Sequence, residues 1–145
     1  ELSASALQTI NELWGEGVSD DGNNTISIFM NPPSKDEEFS GIEFMIPFMA
    51  AVLNSEMHAD ETASQIFASN NRTVFGMLSS EKKDKKNVWI NYYAKFFPDL
   101  KNAGHTEAFS YYIQKSGSDE EVGAWLTEHE REVENMLSWV AGYHE

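Results

Sequence analysis

A chain of 145 residues in which 41% of side chains are hydrophobic and 12% aromatic has enough apolar area for one compact domain over 1–145, and too little length for two. Twenty-four acids against ten bases give a formal net charge of −14, which repels a phosphate backbone and excludes nucleic acid as a partner. With no cysteine there is no disulfide framework, thiolate nucleophile or cysteine-based zinc site.

Ala6, Leu7, Ile10, Leu13 and Trp14 recur at helical spacing and predict a first helix from Ser3 or Ser5 to Trp14, stopped by Gly15 and Gly17. Asp20-Asp21-Gly22-Asn23-Asn24 is turn chemistry, and Thr25 to Met30 is the one β-leaning stretch. It is expected as an extended strap over the helices, or as an edge that pairs with a second copy of the chain in an oligomer. After Pro32-Pro33, Ser34 and Glu37 stand at capping-box spacing and open a long helix to Met57. Its middle, with Ile42, Phe44, Met45, Ile46, Phe48, Met49, Val52 and Leu53, predicts a central helix buried on most sides and bent at Pro47.

Asp60 is the expected cap of a third helix carrying Ala63, Ile66, Phe67, Val74, Met77 and Leu78, with Ser69-Asn70-Asn71 as its weak point. Lys82-Lys83-Asp84-Lys85-Lys86 reads as a solvated connector. A fourth helix, Lys86 to Phe97, presents Val88, Trp89, Tyr92, Tyr93, Phe96 and Phe97 and is interrupted by Pro98 and Asn102-Ala103-Gly104. Thr106 caps a short helix ending at Gly117. Ser118 and Glu121 then open the last helix, where Val122, Trp125, Leu126, His129, Val133, Met136, Leu137, Val140 and Tyr143 form one stripe opposite an acidic face. The sum is an all-α domain, an irregular bundle of five or six helices with one extended segment near Thr25-Met30.

The longest apolar run, Phe44 to Leu53, is about half of the roughly 18 to 20 residues that span a bilayer, so no membrane span is expected and a soluble chain is. The start at Glu1, with neither methionine nor a charged-plus-apolar leader, gives an exported or periplasmic protein if a leader has been removed, and a cytoplasmic one otherwise. Asn23-Asn24-Thr25 and Asn71-Arg72-Thr73 match the glycosylation sequon, as an Asn-rich chain does by chance.

No catalytic, cofactor-binding or metal-binding motif is present: His58, His105, His129 and His144 are scattered, and no GxSxG, Walker loop or GxGxxG occurs. His129, beside Glu128 and Glu132, carries the alternative of a small enzyme or metal-binding protein, against the plainer reading of a hydrogen-bonded structural histidine. Carboxylate pairs such as Glu37-Glu38 and Asp119-Glu120 fall at helix starts, where they complement the macrodipole.

The functional lead is aromatic. Adjacent rings such as Tyr92-Tyr93, Tyr111-Tyr112 and Trp139 beside Val140 cannot face one direction on a helix, so Trp89, Tyr93, Tyr111 and Trp139 are expected to form an interaction surface. Ala103-Gly104 in a turn, Glu107-Ala108 and Tyr111-Tyr112 on the next helix, and the long final helix resemble helical hairpins of the tetratricopeptide type, over Tyr92 to Tyr143. Similar tails occur in uncharacterised exported bacterial proteins. The resemblance implies a protein-binding scaffold. With no catalytic or cofactor motif in the chain, the leading expectation is a non-catalytic module that binds a protein or peptide without a cofactor, the small enzyme or metal-binding protein built on His129 being the alternative.

Overall fold

The computed structural model describes residues 2–15, 18–20, 26–29, 40–53, 58, 60–79, 88–117 and 119–143, without the side chains of 2, 3, 14, 15, 20, 26, 40–43, 53 and 88–94. Seven helices and one two-stranded sheet make up the described residues, the helical fold that the periodicity predicts. Two compact units divide the chain, Glu1–Ile66 and Phe67–Glu145.

In the first unit, helix α1 spans Leu2–Gly15, strands β1 and β2 span Val18–Asp20 and Ile26–Ile28, and helix α2 spans Ser40–Leu53. The β-leaning stretch is not a lone strand. It pairs antiparallel with β1 in the register Val18↔Ile28, Ser19↔Ser27 and Asp20↔Ile26. Val18 to Asp20 is too short to announce itself as a strand, which is why the hairpin partner escapes a periodicity reading. The turn residues 21–25 lie outside the described residues, as do Pro32-Pro33 and the Ser34–Glu37 capping box.

Helix α2 keeps Pro47 inside one continuous run. It packs against α1 and both strands and buries Met49, Ala50 and Ala51. Phe44, Met45 and Val52 stay 40%, 41% and 53% exposed, so this helix is not the enclosed centre that its composition suggests. A helix apolar all round buries only what its neighbours cover, and these neighbours are small.

Helix α3, Ala63–Leu78, crosses from the first unit into the second. Thr62, not Asp60, is its cap: Gln65 N donates to Thr62 Oγ1 at 3.3 Å, and Thr62 N donates back to Gln65 Oε1 at 2.9 Å. This reciprocal pair satisfies two orphan donors, whereas Asp60 lies in the preceding turn. The polar triplet at 69–71 does not weaken the helix. Asn71 is buried and its Nδ2 donates to Ser110 Oγ at 3.0 Å, which also removes that amide from glycosylation chemistry.

The second unit continues with α4 (Val88–Asn102), α5 (Thr106–Gln114), α6 (Glu120–Glu128) and α7 (Glu130–Gly142). Contrary to expectation, α4 runs through Pro98. Pro98 is buried, Leu100 two residues on is 0% exposed, and the helix closes only beyond them. Packing of that turn outweighs the backbone bond a proline cannot make. The stop is a Schellman cap: His105 N donates to Leu100 O at 3.0 Å, Gly104 N donates to Lys101 O at 3.0 Å, and Gly104 takes φ 79°.

Thr106 is the first residue of α5 rather than its cap, and its buried Oγ1 has no partner among the described residues. Asp119 caps α6 by accepting from Glu121 N at 3.0 Å, the role expected of Ser118, which lies outside the described residues. The expected single last helix is two, which brings the count to seven. His129 leaves helical geometry at φ −108° and ψ 29°, while its backbone N–H and its Nδ1 both engage the Trp125 carbonyl at 2.9 Å. Ala68, Tyr111 and Val122 form one buried cluster of this unit, with Trp125 and Leu126 packed against them.

Candidate interaction site

Ring stripes on α4, α5 and α7 meet in the second unit. Phe75 of α3 stacks on Phe97 at 4.5 Å, and Phe96 sets its edge or a tilted face against Phe97, Phe109, Trp139 and Tyr143. These offset and edge-to-face arrangements suit the ring quadrupoles and fix where α7 lies on α4. Trp139 and Tyr143 stand one turn apart on α7, 4.8 Å between ring centres, and Trp139 also leans on His105 at 5.7 Å.

Helix α4 presents its own one-turn pair to the same place. Lys95 Nζ donates to Asp99 Oδ2 at 2.7 Å and to the Tyr143 hydroxyl at 3.2 Å, and the hydroxyl donates to Asp99 Oδ2 at 2.8 Å. The same ammonium lies 5.0 Å from the centre of the Tyr143 ring. Hydrogen bonding to Asp99, then to Tyr143, raises the Lys95 pKa above its ordinary value. Burial, followed by the bond to Asp99, raises that of the Tyr143 phenol. Beside this cluster lies a surface depression of about 520 Å³, lined by Asp99, Asn102, Ser138, Trp139, Gly142 and Tyr143.

Of the four residues expected on an interaction surface, Trp139 lines this depression. Tyr111 does not: it is 3% exposed and stacked on Trp125 at 4.1 Å with 5° between planes. Its neighbour Tyr112, at 36%, is the exposed member of the pair. An adjacent aromatic pair shows that one ring turns outward but not which, and the Ala68–Val122 cluster claims Tyr111. Trp89 and Tyr93 belong to α4, and their side chains lie outside the described residues. Lys95, Asp99 and Tyr143 were missed as site residues. Their signal was a Lys–Asp pair and a Trp–Tyr pair, each at four-residue spacing, without any sign that the two faced one another.

His129 is half-buried, its ring stacked on Trp125 at 4.0 Å. Among the described residues no group of three or more His, Asp or Glu side chains is placed to hold a metal ion. No described helix is long and apolar enough to cross a membrane. The chain matches no family model, no curated protein and no solved structure.

Proposed function

We propose that this chain is a non-catalytic interaction module that binds a protein or peptide segment in the depression between α4 and α7. The observation that carries the reading is the position of Trp139: it lines a shallow depression with Tyr143 beside it and Asp99, Asn102 and Ser138 as polar neighbours. Tryptophan and tyrosine held in this way offer a large contact area with little side-chain entropy left to lose, and such anchors dominate binding energies. The acid excess of the chain disfavours an anionic partner. The tetratricopeptide-like resemblance of Tyr92 to Tyr143 belongs to the same reading, with helical hairpins as the scaffold of the surface.

Selection of peptides from a displayed random library against the whole chain, followed by calorimetry, tests this. Loss of an aromatic anchor costs about tenfold in affinity or more, so Trp139→Ala should weaken the selected peptides by that factor while its melting curve stays cooperative. Peptides that bind the wild type and Trp139→Ala with equal affinity would overturn the reading.

A further inference from the structure

A cation of the chain itself contacts two of the groups that line the depression, Asp99 and Tyr143. The Lys95 ammonium rests on a carboxylate oxygen, a phenol hydroxyl and an aromatic face, at 2.7, 3.2 and 5.0 Å respectively. Those three partners are the ones an alkylammonium or guanidinium group seeks: charge, directed acceptor and ring quadrupole. Lys95 reaches them along the outside of its own helix, and its side chain is 58% exposed. An exposed one-turn ion pair is weakly held and open to exchange.

We propose that the depression binds a lysine or arginine side chain of a basic peptide, and that Lys95 is a resident competitor displaced from Asp99 and Tyr143 when that side chain enters. This rests on the interaction-module reading and names the partner's chemistry. An incoming cation meets the same carboxylate and phenol where Trp139 also lines the depression. The net charge of −14 steers a basic segment toward the chain before any contact forms. The competitor taxes every binding event, because apparent affinity falls by the fraction of molecules in which the acceptors are already taken.

Fluorescence titration of the full chain with tetralysine, and with the same peptide acetylated on every lysine, tests this at fixed ionic strength. Lys95→Met keeps the stem and removes the competitor. It should tighten tetralysine binding roughly three- to tenfold, the range for an exposed ion pair together with an exposed cation–π contact. Lys95→Gln should repeat the effect. Lys115→Met removes the same charge from the end of α5, away from the depression, and should change affinity by less than about twofold, as expected of screened long-range charge. Asp99→Asn placed on Lys95→Met should reverse the gain.

Equal tightening by Lys95→Met and Lys115→Met would reduce the effect to bulk charge and overturn the proposal. So would a titration in which no variant binds tetralysine. If the acetylated peptide binds as tightly as tetralysine and Trp139→Ala releases both, the cationic occupant is overturned while the module stands.

Discussion

One chemical change, glycine to alanine, should have opposite signs at two places in the second unit. Gly104 closes α4 at φ 79°, and a Cβ built there meets nothing within 4 Å. The whole penalty of Gly104→Ala is therefore backbone strain, about 1–2 kcal/mol for a left-handed residue with a side chain. Gly123 lies inside α6 with ordinary helical φ, and its added Cβ also meets nothing within 4 Å. There alanine restricts the unfolded chain without straining the folded one, a gain of about 0.5–1 kcal/mol. At roughly 2–4 °C per kcal/mol for a chain of this size, Gly104→Ala should lower Tm by about 2–8 °C and Gly123→Ala should raise it by about 1–4 °C. Gly104→Asn should fall between wild type and Gly104→Ala, since asparagine tolerates this conformation better. Thermal and urea melts followed by far-ultraviolet circular dichroism measure all three. A Gly104→Ala variant as stable as wild type would refute the Schellman cap and the account of how α4 ends.

Leu100→Ala should cost about 2–5 kcal/mol in urea denaturation, because it empties a fully enclosed position that holds the turn after Pro98; a loss below about 1 kcal/mol would mean that Leu100 is not what carries α4 past the proline. Two buried polar groups should respond in opposite ways. Asn71→Ala removes the donor to Ser110 Oγ and should destabilise by about 1–3 kcal/mol, whereas Thr106→Val replaces a hydroxyl with no described partner and should leave the urea midpoint level or higher. Burial, reinforced by Glu121, Glu107 and Asp119, raises the Tyr111 phenol above its ordinary value of 10.0. The folded state then keeps this proton to a higher pH than the unfolded state does. Its stabilisation is whole below pH of about 10 and is lost as pH rises through the folded-state value. The urea midpoint of Tyr111→Phe should accordingly fall less steeply above pH of about 10 than that of wild type, with tyrosinate absorbance reporting one late-titrating phenol fewer.

Helices were legible wherever apolar residues repeated at three and four, since that spacing is a property of one strand of backbone. Ends that depended on a local motif were partly legible. Gly104 stood in an evident stop, while the reciprocal Thr62–Gln65 cap was passed over for the more familiar Asp60. What depended on a second element was hidden. Nothing within α4 reveals that Leu100 will be enclosed and so carry the helix past Pro98. Nor does anything in the last stripe reveal that the backbone will leave helical geometry at His129 and divide the helix. The site followed the same rule: Trp139 could be singled out as a large ring beside another apolar residue, but the meeting of the α7 pair Trp139 and Tyr143 with Asp99 needed α4 and α7 to be laid together.

The joint between α6 and α7 gives the protein an optical gauge of its own. Tyr111, Trp125 and His129 are nearly parallel rings, with centres 4.1 Å and 4.0 Å from that of the indole they both stack on. Chromophores coupled so closely acquire a chirality that neither has alone, and their near-ultraviolet dichroism vanishes when they slide apart. With four tryptophans in the chain, the share of the signal that comes from this stack is read from the difference between wild type and Trp125→Phe.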